Sequence, residues 1–170
     1  IQTRVVDDAM NDVGPGEVGE IVYRGPTMMQ GYWNKPEATA EAFFGGWFHS
    51  GDLVKQDEEG FVWVVDRKKD MIISGGENIY CAEVENVLFG HPSIREAAVV
   101  GRPDGKWGEV PVGVVALDGA DDLTIDELEP YLNENLARYK HPKDIVVVEE
   151  LPRNASGKVL KHTLRKDFAG

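Results

Sequence analysis

Asp66-Arg67-Lys68-Lys69-Asp70-Met71-Ile72-Ile73-Ser74-Gly75-Gly76-Glu77-Asn78 divides the chain into two patterns. Its first part is short, charged and free of proline and glycine, so it reads as a hinge rather than a tether. Before it the pattern is β-rich. Gly19-Glu20-Ile21-Val22-Tyr23 is a short strand, and Pro36 suits the first turn of a helix running through Phe43. Strands at Leu53–Gln56 and Phe61–Val65 flank Asp57-Glu58-Glu59-Gly60, a hairpin loop with glycine available for a positive φ. After Lys69 helices and strands mix. Val84, Val87 and Leu88 mark one face of a helix from about Cys81 to Phe89, and Ala97–Gly101, Val110–Leu117 and Ile145–Val148 read as strands. Thr124 with Glu127 forms a capping box ahead of Ile125, Leu128, Leu132 and Leu136 on one helical face. The expected class is α+β, with a β-rich unit over residues 1–69 and a small two-layer α+β domain over 70–170.

Composition excludes several functions. The 170 residues allow one ordinary domain or two small ones, and 42% hydrophobic residues suffice for a core. No run approaches the ~20 apolar residues of a membrane helix, and no signal-peptide pattern opens the chain. Cys81 is the single cysteine, so no intrachain disulfide can form; a reducing, cytoplasmic setting is expected. Paired Cys/His zinc ligands are absent, and no metal site is expected among these residues. The net charge of −12 argues against a nucleic-acid surface. Its distribution is uneven: between Arg138 and Lys166 eight basic residues face three acids. That stretch fits a local site for a small anionic ligand, or charge segregated without consequence.

Near the C-terminus, Leu151-Pro152-Arg153-Asn154-Ala155-Ser156-Gly157-Lys158 is an irregular loop, and Leu160, Leu164 and Phe168 follow at helical spacing. Lys158 is thus expected at a loop-to-helix junction, where free backbone N–H groups and an ammonium can face one anion. Alone, Ser-Gly-Lys reads first as a solvated lysine beside a helix cap, given the surface bias of lysine. Asp52, after Ser50-Gly51 at an expected strand start, suits a vicinal diol or its own turn backbone. Arg67 offers a lasting positive charge, or an ion pair with Asp66 or Asp70.

Three runs in this order, Gly46-Trp47-Phe48-His49-Ser50-Gly51-Asp52-Leu53, the hinge run and the Lys158 loop, resemble the C-terminal part of ATP-dependent acyl-CoA synthetases of the adenylate-forming ligase superfamily. The resemblance covers nearly the whole chain, and Met71 to Tyr80 resembles the branch acting on medium- to long-chain and aryl acids. It implies a fold in which the β-rich end of the large adenylate-forming domain precedes the small C-terminal domain. It implies that Lys158 bridges acyl and phosphate oxygens during adenylation, and that Asp52 and Arg67 hold the AMP ribose or phosphate. Lys69 matches the hinge position that turns between two half-reactions. Ser74, Gly75 and Gly76 match the loop lining the pantetheine channel, where missing side chains allow close approach. Trp107, Tyr139, Lys140 and His141 resemble positions that hold the nucleotide end of CoA, although Trp107 and Tyr139 fit packing roles as well. The spacing of Pro152 and Gly157-Lys158 resembles the site at which acetyltransferases silence some bacterial members by removing the lysine charge.

The resemblance also implies ATP, CoA and a carboxylic acid as substrates, with Mg ligands outside this chain. The family's phosphate-cradling loop occurs nowhere in the sequence, so the rest of a large N-terminal domain is the expected partner, and the 170 residues alone are expected to be inactive. The first unit, without its sheet partners, is expected to be the less ordered part or to pair with another copy through exposed strand edges. A carrier-protein-loading domain, or a non-catalytic module binding nucleotide, CoA or a partner chain, are the competing readings.

Overall fold

The computed structural model describes residues 1–119 and 122–168. They form two compact units that divide after Lys69.

In the first unit β1 (Gln2–Val6), β2 (Val18–Arg24), β3 (Phe48–Gln56) and β4 (Val62–Arg67) form an antiparallel sheet in the order β1-β2-β3-β4. Helix α1 (Pro36–Ala42) and a 3-10 turn at Phe44–Gly46 fill the long β2–β3 connection. Val5, Ile21 and Val54 form the core, with Val13 and Tyr23 packed against it. Strand β3 is longer than its hydrophobic pattern indicates, so Asp52 stands in mid-strand rather than at its start. The cause is Gly51: its φ of +72° and the register shifts on either side bend the strand without ending it. Strand β1 carries no clear alternation and exists through its pairing with β2, from Gln2↔Arg24 to Val6↔Glu20. Strand β4 lies at the sheet edge with Val62, Trp63 and Val64 exposed.

The second unit contains β5 (Ile72–Ser74), β6 (Glu77–Ile79), α2 (Cys81–Phe89), β7 (Ile94–Asp104), β8 (Gly108–Leu117), α3 (Ile125–Asn135), β9 (Asp144–Val148) and α4 (Lys161–Phe168). Strand β8 is central. It pairs antiparallel with β7, parallel with β9 through α3, and touches the β5–β6 hairpin at Ser74↔Gly108. The unit has three layers, not the expected two. Val99 and Val115 point into a core with Val84, Leu88, Leu128 and Leu132 of α2 and α3, while Val100, Val112 and Val114 meet Leu164 of α4 on the opposite face. Unbroken burial from Val110 to Ala116 is the pattern of a strand covered on both sides. Each fully buried leucine, such as Leu128 or Leu164, contributes roughly 2–3 kcal/mol.

The capping box forms as expected. Glu127 Oε2 accepts from Thr124 N at 2.8 Å and Thr124 Oγ1 accepts from Glu127 N at 3.4 Å, a cap of about 1 kcal/mol. Helix α3 stops at Asn135, leaving Leu136 as an extended, buried cap. No helix among the described residues is long and apolar enough to cross a membrane.

Candidate functional site

In the first unit the site grows from the bend at Gly51. Asp52 and Arg67 are cross-strand partners on β3 and β4, and Arg67 Nε meets Asp52 Oδ1 at 2.6 Å. Arg67 therefore pairs with Asp52 rather than with Asp66 or Asp70. The pair is partly exposed, and a carboxylate with two acceptor oxygens and a guanidinium with five N–H donors have further hydrogen-bonding capacity for a polyol or an anion. Ser50 explains why a hydroxyl stands before the glycine: its Oγ donates to the Ile21 carbonyl at 2.6 Å and accepts from Asp52 N at 3.0 Å. Ser50, Gly51, Arg67, Lys68 and Lys69 line one open depression.

Glu20 organises this turn and was not singled out by the sequence. It is 5% exposed, and it accepts from His49 Nδ1 at 3.0 Å, Gly51 N at 2.9 Å and Lys68 Nζ at 3.1 Å. Burial pushes its carboxyl up, but these donors outweigh burial and hold it below the usual carboxylate range. Lys68 is raised despite burial because Asp8 and Glu20 hold its charge. A carboxylate inside an otherwise apolar, buried strand was the available signal; its partners 29 to 48 residues away were not visible.

The sign of the pH effect follows. Glu20 contributes stability fully present above its ordinary value of 4.5, and lost as pH falls through the lower folded value. Glu20→Gln is expected to cost about 2–3 kcal/mol and to flatten acid unfolding below that value. Circular dichroism titrations of both proteins check this; identical acid limbs would contradict it.

In the second unit Ser74, Gly75, Glu77, Trp107, Arg138, Tyr139 and Lys143 line a cleft of about 470 Å³. Gly75 and Gly76 are the two central residues of the β5–β6 turn, at φ +60° and +88°, as a tight primed hairpin requires. Gly75 has a further constraint. A Cβ there would lie 2.8 Å from Trp107 Cε3, and its N–H donates to the Trp107 carbonyl at 2.8 Å. Trp107 is held by Asp104, whose Oδ1 accepts from the Trp107 and Lys106 N–H groups and is kept below the carboxylate range by them. The half-exposed rings of Trp107 and Tyr139, with Arg138 and Lys143, give aromatic faces beside cations.

Lys140 and His141 do not join this lining. Lys140 Nζ is bound by both oxygens of Glu83 at 2.6 and 2.7 Å. Burial lowers its pKa, yet Glu83 raises it further. His141 is buried, and its Nε2 meets the Leu136 carbonyl at 3.0 Å, stapling the end of α3 to the following turn. Arg138 and Lys143 take their place at the cleft because the 3-10 turn at Arg138–Lys140 sends neighbouring side chains in different directions.

Lys158 is exposed in the Asn154–Lys158 turn, between bridge partners Arg153 and Val159. Asn154 Oδ1 accepts from Ser156 N at 3.0 Å and Lys158 N at 2.9 Å, and Arg153 donates to the Gly157 carbonyl at 2.7 Å. This corrects the expected junction. Helix α4 begins at Lys161, so Lys158 stands ahead of its first turn, and the Lys158 N–H is used within the Asn154–Lys158 turn while its ammonium is exposed. None of the ion pairs among the described residues includes it. No metal-binding cluster occurs among the described residues.

The AMP-binding enzyme C-terminal domain model matches residues 83–158, and the AMP-binding enzyme model matches residues 1–33. Feruloyl-CoA synthase of an Amycolatopsis species is 51% identical over 165 residues, covering 97% of this chain and 34% of that protein. A long-chain-fatty-acid–CoA ligase of Mycobacterium tuberculosis is 46% identical over 151 residues, 89% of this chain and 30% of the relative. Among solved structures, ATP-bound MatB from Rhodopseudomonas palustris matches at TM-score 0.90 and 37% identity, covering 99% of this chain and 34% of that one. The o-succinylbenzoate CoA synthetase MenE from Bacillus subtilis, in complex with its acyl-adenylate intermediate, matches at TM-score 0.86 and 44% identity, with the same coverage. The chain spans about a third of the length of these relatives. With matches to both domain models and continuous similarity across the turn at Gly51, the hinge run and the Lys158 loop, the chain belongs to the AMP-binding, adenylate-forming enzyme family.

Proposed function

We propose that these residues serve an acid–CoA ligase, which activates a fatty or aryl carboxylic acid with ATP to an acyl adenylate and passes the acyl group to CoA. The observation that carries the reading is the Asp52–Arg67 pair beside the Ser50-Gly51 bend, in a chain whose relatives are named CoA ligases. Asp52 would accept the ribose hydroxyls and Arg67 would meet ribose or phosphate. Lys158 would neutralise charge shared by acyl and phosphate oxygens, and Lys69 would absorb the rotation between half-reactions. Ser74 and Gly75 would border the thiol arm, with Gly76 completing their turn. Trp107 and Tyr139 would stack on adenine, with Arg138 and Lys143, rather than Lys140 or His141, meeting phosphates. Magnesium would be held by residues outside this chain, in a cytoplasmic enzyme.

The test uses the full-length protein with a panel of carboxylic acids. Acid-dependent ATP–pyrophosphate exchange, followed by acyl transfer to CoA, is the expected result, with no exchange from the 170 residues alone. Exchange followed by transfer only to a phosphopantetheinylated carrier protein would replace CoA as acceptor. Absence of exchange with every fatty and aryl acid would overturn the reading.

A further inference from the structure

Lys69 lies between two residues, each tied down within its own unit. On one side Lys68 is fixed three times. Its N–H donates to the Gly51 carbonyl at 2.8 Å, and its Nζ meets Asp8 Oδ1 at 2.7 Å and Glu20 Oε2 at 3.1 Å. On the other side Asp70 is fixed through both its side chain and its backbone. Arg165 Nη2 on α4 meets Asp70 Oδ1 at 2.6 Å, and the Cys81 thiol at the start of α2 donates to the Asp70 carbonyl at 2.9 Å. Helix α4 is anchored in turn by Lys161, whose Nζ meets Glu85 Oε1 at 2.7 Å, while that same oxygen accepts Val99 N–H of β7 at 2.7 Å. Asp70 and Glu85 are thus bound to the helix that follows the Lys158 loop.

A turn held on only one side would spread a rotation over several φ and ψ angles. Anchors on adjacent residues concentrate the rotation at the residue between them. Building on the hinge reading above, we propose that Arg165 and Asp70, opposite Lys68 and Glu20, are positioning residues that confine the rotation to Lys69 and give both conformations a defined geometry. Breaking the Arg165–Asp70 tie leaves Asp70 held only by the Cys81 thiol at its carbonyl, which loosens its dihedrals enough to share the turn.

The distinguishing property is an interaction between mutations. Lys69→Pro locks φ of the hinge residue and should depress thioester formation from supplied acyl-AMP. Arg165→Met alone should slow that step modestly. In the double variant the Asp70 dihedrals can absorb what proline forbids, so the penalty of Lys69→Pro should shrink about tenfold, well outside additivity. Asp70→Asn, which keeps shape and weakens the charged tie, should give the same partial rescue, and Arg165→Lys should restore much of the proline penalty. Full-length ligase and preformed acyl-AMP are used throughout. If Lys69→Pro leaves thioester formation unchanged, the hinge reading itself fails. If Lys69→Pro is harmful but its penalty is unaltered in both the Arg165→Met and Asp70→Asn backgrounds, the hinge stands and the positioning role is overturned. Additive losses of that kind are what a merely structural ion pair would give.

Discussion

Under the proposed function, Lys158→Ala in the full-length protein is expected to abolish most adenylation and largely spare thioester formation from preformed acyl-AMP. Joining a carboxylate to the α-phosphate concentrates negative charge on oxygens of both groups. A cation about 4 Å away stabilises that charge by roughly 4 kcal/mol at an effective dielectric near 20. By analogy with loss of one oxyanion donor, adenylation should fall by about 100- to 1000-fold or more. The local structure makes this a clean substitution. Lys158 is exposed, and its turn is held by the Asn154 side chain, the Arg153 guanidinium and the Arg153–Val159 bridge, none of which needs the ammonium. Folding should therefore be unaffected, and a melting temperature unchanged in the variant checks it. Acetylation of Lys158 removes the same charge and should give the same split between half-reactions.

Lys69→Pro has the opposite signature. Proline holds φ near −65° and removes a donor, so the turn at Lys68–Asp70 is locked in one state. Adenylation should survive, while CoA-dependent thioester synthesis falls by about 100-fold, of the order seen when positioning for one step is lost. Steady-state acyl-CoA formation together with single-turnover adenylation measures both quantities. An undiminished steady-state rate would remove Lys69 from the hinge.

Much of the fold was legible because local rules and tertiary packing agreed. Helix α2 was bounded from its apolar face at Cys81–Phe89, and the capping box at Thr124 located the start of α3. The misreadings have physical causes. A strand that bends through a glycine and a bulge looks like a turn, so β3 was read too short. The third layer was missed because α4 is short, with only Leu164 fully buried, and its partner face is built from residues adjacent in sequence to those of the other core. At the candidate site, residue types were readable but directions were not. Lys140 and Arg138 belong to one 3-10 turn, yet Glu83 takes the first and the cleft receives the second. Glu20 stayed hidden because its role consists entirely of long-range partners.

The proposed function, in which different residues serve the two half-reactions of the full-length protein, is tested most directly by running both assays on both variants. A crossed pattern is expected: Lys158→Ala loses acid-dependent pyrophosphate exchange and keeps thioester formation from acyl-AMP, whereas Lys69→Pro keeps exchange and loses thioester formation. Equal losses in the two assays for each variant would contradict it.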